Sequence, residues 1–76
     1  MSKVRRVWEV LFKQYEKDES IDMQTVYVDE KWGDSDNELE WRCFGELALK
    51  VSDTTLSRKN TKGWVLEDMW IYEGLP

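Results

Sequence analysis

The sequence predicts a small, mainly β or α+β domain built on a single antiparallel sheet of three or four strands. With 76 residues the chain has room for one domain, 1–76. Residues 38–51 alternate between apolar and polar along most of their length, which is the period of a strand. β-Branched and aromatic residues are concentrated in three further segments, each bounded by polar or turn-forming residues.

The N-terminal segment fits two patterns. Apolar residues recur three and four positions apart, as on one face of a helix, and residues 7–13 also alternate at period two. We assign a strand to 7–13 because the rest of the chain has β character, and a helix covering one face of the sheet stays open as the alternative. The apolar residues concerned are Val4, Val7, Trp8, Val10, Leu11, Phe12 and Tyr15.

The next two predicted elements are a connection and a strand. Residues 16–22 are almost all charged or polar, which is typical of a loop. Residues 23–29 are rich in β-branched and aromatic side chains and predict a strand. Gly, Asp, Ser and Asn in residues 32–37 then predict a turn.

The alternation of residues 38–51 predicts the longest strand, with Gly45 at a bend or bulge. Only Phe44 and Ala48 depart from the pattern. Cys43 falls on the apolar face and is expected to be a buried small hydrophobe.

A polar loop and a final strand complete the prediction. Residues 52–63 form the loop, and its tip at 58–63 has the composition of a hairpin end. Residues 64–72 read as a strand, in which Glu67 and Asp68 indicate a sheet edge or a break in pairing. Among the Trp residues, Trp41, Trp64 and Trp70 are expected in the core.

Composition argues against an enzyme. The chain has no His and one Cys, so the commonest general base is absent and neither an internal disulfide nor a Cys-rich zinc site can form. The acidic run from Asp34 resembles the start of an EF-hand loop, but Leu39 replaces its Gly and Gly45 replaces its final Glu. We therefore predict no catalytic residues, no cofactor and no metal site.

The sequence predicts a cytoplasmic protein that makes no membrane contact. No segment approaches the apolar length of a membrane span, and the N-terminus lacks the pattern of a signal peptide. A lone thiol fits a reducing compartment.

Charge is distributed unevenly along the chain. The net charge is −5. Residues 1–13 and 50–63 each carry +3, residues 14–40 carry −8, residues 41–49 balance, and residues 64–76 carry −3. An acidic centre between two basic clusters favours oriented docking on a partner of complementary charge. Residues 1–6 are predicted as a basic N-terminal arm and residues 73–76 as a tail.

The basic clusters supply the candidate partner-binding residues. Arg and Trp are enriched at binding hot spots, so the arm and the Trp beside it are singled out for a partner protein. The basic loop offers a secondary nucleic-acid contact once the protein is docked. The candidates are Lys3, Val4, Arg5, Arg6, Val7, Trp8, Arg58, Lys59 and Lys62.

An alternative surface is acidic and would mimic DNA towards a DNA-binding host protein. Same-face side chains of a strand repeat at about 6.6–6.8 Å, close to the phosphate repeat of one DNA strand. The residues of this alternative are Asp34, Asp36, Glu38 and Glu40.

The aromatic-rich acidic body with its basic start, Lys3 to Arg6, resembles small acidic phage-encoded host-takeover proteins. Within that group it is similar to phage inhibitors and antitermination factors that bind bacterial RNA polymerase. The resemblance implies a non-enzymatic inhibitor or regulator that docks on a polymerase subunit through basic and aromatic residues, blocking initiation or altering termination. For a phage-encoded chain it also implies the cytoplasm of the host cell as the compartment.

Overall fold

The computed structural model describes residues 6–29, 35–57 and 59–73. They form an α+β fold with one open antiparallel sheet and one helix, which confirms the predicted fold class. The elements follow the chain as β1 (Arg6–Glu16), β2 (Glu19–Asp29), α1 (Asp36–Val51) and β3 (Trp64–Glu73). The strand order is β2-β1-β3, so the N-terminal segment is a strand and lies at the centre of the sheet.

β1 and β2 form a long hairpin. Glu16 pairs with Glu19 across a two-residue turn, in which Lys17 adopts a left-handed conformation with φ 57°. The predicted connection at 16–22 is therefore wrong over most of its length, because β2 already begins at Glu19. Its polar side chains are exposed at the hairpin end, where a strand needs no apolar face.

Residues 38–51 belong to α1, so the predicted strand there is wrong. The helix buries residues that recur every four positions, together with the residues next to two of them. On a helix these positions form one stripe along the surface. Phe44 and Ala48, the two exceptions to the strand pattern, are among them. The stripe consists of Leu39, Cys43, Phe44, Leu47 and Ala48, with Val51 half-buried at its end.

Local signals fix both ends of α1. The Ser35 hydroxyl accepts the backbone N–H of Glu38 at 3.3 Å, as in the Ser-x-x-Glu capping box. At the other end Ser52 is left-handed, and the N–H of Asp53 donates to the carbonyl of Ala48 at 3.0 Å. Gly45 is an exposed residue within the helix, so the predicted bend or bulge is wrong.

α1 packs on one face of the sheet and builds the core there. The rings of Phe12 and Phe44 lie 4.9 Å apart and are inclined at 57°. Cys43 and Trp64 are buried as predicted, whereas Trp41 and Trp70 are exposed and their predicted core positions are wrong. The other buried apolar side chains of the described core are Val10, Val26, Val28, Leu39, Leu47, Ala48 and Leu56.

β3 is an edge strand with a break in its pairing, as its two acids predicted. Leu11 pairs with Asp68 and Phe12 with Leu66, so Glu67 between them is an extra residue in β3. The loop before β3 connects it to a helix, so the predicted hairpin tip at 58–63 is wrong.

The predicted arm and tail overlap the sheet at one residue each. Arg6 begins β1 and Glu73 ends β3, and their side chains form an ion pair of 2.9 Å. The rest of both segments, 1–5 and 74–76, lies outside the described residues.

Candidate functional site

The face of the sheet opposite α1 is not covered by any described element. Val10 and Phe12 of β1 are buried against α1, and because side chains alternate along a strand, the odd-numbered residues of β1 from Val7 to Lys13 point to the opposite face. Their partners in β2 and β3 share that face. We call this surface the open face; it comprises Val7, Glu9, Leu11, Lys13, Met23, Thr25, Tyr27, Asp29, Val65, Asp68, Trp70 and Tyr72.

Large apolar and aromatic side chains occupy much of the open face. Tyr27 is 58% exposed, Tyr72 54%, Met23 58%, Val65 46% and Trp70 41%. A soluble domain rarely leaves so many large side chains together in water unless the surface binds a partner.

A carboxylate lies in the middle of these aromatic residues. Glu9 is on the central strand, and its Cα partners are Tyr27 on one side and Trp70 on the other. The hydroxyl of Tyr27 donates to Glu9 Oε2 at 2.7 Å, and the hydroxyl of Tyr72 donates to Glu9 Oε1 at 2.9 Å. These hydrogen bonds to the carboxylate raise the pKa of both tyrosines, which therefore remain neutral donors.

A second tyrosine–carboxylate pair lies at the bulge of β3. The Tyr15 hydroxyl donates to Glu67 Oε2 at 3.2 Å. Partial removal from water and the nearby Glu67 charge raise the pKa of Tyr15. This carboxylate accepts one tyrosine, whereas that of Glu9 accepts two.

Side chains form hydrogen bonds with backbone groups of both outer strands, β2 and β3. Lys50 Nζ donates to the carbonyl of Thr25 at 2.5 Å, and Arg42 donates to the carbonyl of Asp29, so α1 reaches over β2 at two places. On β3, Asp68 Oδ1 accepts the N–H of Met69 at 3.0 Å next to the bulge. Occupied backbone groups, charges and bulges all hinder the addition of a further strand. The open face is therefore the more available surface.

The predicted binding segment from Lys3 to Trp8 is described only from Arg6 onwards. Lys3, Val4 and Arg5 lie outside the described residues. Val7 is half-buried on the open face, but Trp8 points to the helix side and packs against the core. The Trp8 indole N–H is buried and has no hydrogen-bond acceptor among the described residues.

The predicted basic loop lies at the opposite end of β1 from Arg6. Lys62 pairs with Asp53 at 3.2 Å, and its carbonyl accepts a hydrogen bond from Gln14 at 3.3 Å. Lys59 is exposed, and Arg58 lies outside the described residues. At about 3.3 Å per residue, the eight residues from Arg6 to Gln14 span about 26 Å, so Arg6 lies far from Lys62.

The residues of the alternative acidic surface do not have the strand spacing from which DNA mimicry was predicted. Glu38 and Glu40 lie on α1, where residues two apart point about 200° away from each other, so the strand repeat does not apply. Glu38 stands at the capped first turn. Asp34 and the side chain of Asp36 lie outside the described residues.

The open face could not be located from the sequence, because both β2 and β3 have large apolar residues on both faces. Only the position of α1 decides which set is covered. Within the described residues no group of three potential metal ligands occurs. α1, the helix that the described part of the chain contains, is too short and too polar to cross a membrane. Comparisons with protein-family models, curated proteins and solved structures found no match.

Proposed function

We propose that this chain is a non-enzymatic binding protein that docks its open face on a macromolecular complex and regulates that complex. The observation that carries the proposal is the uncovered aromatic surface around Trp70, Tyr27 and Tyr72. Trp and Tyr are enriched among the few residues that supply most of the binding energy at protein interfaces, and an exposed apolar sheet face lowers solubility unless it is covered by a partner.

The charge of the open face favours a protein partner over a nucleic acid. Among the described residues, Glu9, Asp29 and Asp68 bring three acidic side chains to this face, against one base, Lys13. Proteins that stack bases on a sheet combine aromatic rings with a positive surface that follows the phosphates. With a net charge of −5 as well, the chain would repel a phosphate backbone at long range.

The specific complex we propose is bacterial RNA polymerase, the partner implied by the resemblance to phage regulators of transcription. The small size, the acidic body and the lack of His support a docking protein of this kind. Binding would block promoter-dependent initiation or alter termination by occupying a polymerase surface.

A matched pair of tryptophan variants tests the docking surface. Trp70 on the open face and Trp41 on α1 are both exposed, at 41% and 55%. The wild-type chain should bind purified bacterial RNA polymerase and should alter its transcription in vitro. Trp70→Ala should weaken binding more than about tenfold, whereas Trp41→Ala should not. Circular dichroism should show that both variants are folded.

Two outcomes would contradict the proposal. If the wild-type chain neither binds polymerase nor changes initiation or termination, the proposed complex is wrong. If Lys59→Ala abolishes binding while Trp70→Ala does not, the basic loop carries the interaction and the open face does not.

A further inference from the structure

The Glu9 carboxylate is held in an unusual environment for an exposed sheet. Each of its oxygens accepts a tyrosine hydroxyl, from Tyr27 and from Tyr72. A carboxylate has about four acceptor positions, so each oxygen keeps one lone pair for a further donor. No Lys or Arg among the described residues forms an ion pair with Glu9.

Aromatic rings surround this carboxylate on both neighbouring strands. Tyr27 and Trp70 are the direct Cα partners of Glu9, and such partners have Cβ atoms about 4.5–5.5 Å apart. Tyr72 follows two residues after Trp70 on the same face of β3. The four side chains define what we call the Glu9 cluster. It presents one negative charge among three exposed aromatic side chains.

This chemistry fits a guanidinium group. Arginine is weakly hydrated, stacks on aromatic faces and forms hydrogen bonds to both oxygens of a carboxylate. Cation–π attraction adds to the charge pairing where the cation lies over a ring. The two tyrosine hydrogen bonds fix the position of the carboxylate, so less side-chain freedom is lost on binding.

We propose that the Glu9 cluster binds an arginine side chain presented by the protein partner. The inference rests on the proposed function, because it names the partner chemistry that the open face recognises. The acidic balance of the open face and the net charge of −5 both complement a basic segment on the partner.

The cluster can be tested without the partner. Blocked tripeptides Gly-X-Gly, with X as arginine, lysine or citrulline, are titrated into isotope-labelled protein and followed by NMR. The arginine peptide should shift the signals of Glu9, Tyr27, Trp70 and Tyr72 in a saturable manner. Citrulline has the same shape without the charge and should not bind. Equal shifts with citrulline, or arginine-induced shifts confined to other residues, would overturn the inference.

Two isosteric variants separate the cluster from general acidity. Glu9→Gln should lower the affinity for the arginine peptide about tenfold, because it removes the negative charge and one of the two oxygens that accept a tyrosine hydroxyl. Glu67→Gln makes the same change at the other tyrosine–carboxylate pair and should leave affinity unchanged. An equal loss of affinity in both variants would show that net charge alone governs binding, and it would overturn the inference. Preference for the lysine peptide would overturn the choice of arginine.

The same variants distinguish the inference from the proposed function. If wild type and Glu9→Gln bind RNA polymerase equally well, the arginine inference fails while docking stands. If neither binds polymerase, the proposed complex is wrong, and the peptide titration alone still decides whether the cluster binds arginine.

Discussion

Replacing two glycines with alanine should change stability in opposite directions. Gly45 lies within α1, is exposed, and a Cβ added there would meet nothing within 4 Å. Gly63 precedes β3 with φ 85°, and a Cβ there would lie 2.7 Å from the backbone oxygen of Tyr15. The first position tolerates a side chain, and the second does not.

The magnitudes follow from these two environments. Alanine is about 0.8–1.0 kcal/mol more favourable than glycine within a helix, so Gly45→Ala should stabilise the fold by about that amount. With about 2.1 cal/mol/K of unfolding entropy per residue, 1 kcal/mol raises the Tm of a chain of this length by about 6 °C. Gly63→Ala should cost about 2 kcal/mol or more, because it adds a left-handed penalty and a backbone clash.

Thermal and urea unfolding followed by circular dichroism measure both changes. The two substitutions are chemically identical, so an effect of alanine on the unfolded chain cancels in their comparison. A strand with a bulge at Gly45, as the alternating pattern suggests, would be destabilised by the substitution. A lower Tm for Gly45→Ala would therefore refute the helical assignment of residues 36–51.

Three further changes probe the cap, the core thiol and the loop. Ser35→Ala should cost about 1 kcal/mol in thermal unfolding because the Glu38 N–H loses its acceptor, whereas Ser35→Asp, which also caps, should not. Burial raises the pKa of Cys43 to about 11 from its ordinary 9.0. Because the thiol ionises more easily in the unfolded chain, the free energy of unfolding should fall as pH rises from 9.0 towards 11. The same fall in Cys43→Ala would contradict the assignment of this effect to Cys43. Hydrogen bonds from Thr55 and Lys62 lower the pKa of Asp53 below its ordinary 3.8. The stability that these bonds give the fold is therefore present above pH 3.8 and is lost as pH falls through the lowered pKa. In an acid titration, the free energy of unfolding of Asp53→Asn should fall less steeply than that of the wild type.

Composition predicted parts of β1 and β3. Residues 7–13 alternate at period two, although a helix stayed open as the alternative there, and residues 64–72 are rich in β-branched and aromatic residues; both segments lie within observed strands. The adjacent acids Glu67 and Asp68 correctly indicated an edge with broken pairing.

The helix was missed because its sequence satisfies two periods. Leu39, Leu47 and Val51 are odd-numbered and also four or eight apart, so they fit both a strand face and a helix face. The deciding signals were present: Phe44 and Ala48 fit only the helix, and Ser35 followed by Glu38 is a capping box.

The candidate site depends on the helix and could not be predicted without it. Trp41 and Trp70 carry no local signal of exposure, and both were expected in the core. Covering one face of the sheet with α1 leaves Glu9 and its aromatic neighbours on the other. The contact between Glu9 and Tyr72, 63 residues apart, also requires the register of β1 and β3.

Hydroxyl-radical footprinting of the tryptophans tests docking through the open face most directly. Trp70 and Trp41 are both exposed in the free protein, and they report on the open face and on α1 respectively. We predict that saturating bacterial RNA polymerase protects Trp70 from oxidation and leaves Trp41 as reactive as before. Protection of Trp41 with Trp70 still reactive would contradict docking through the open face.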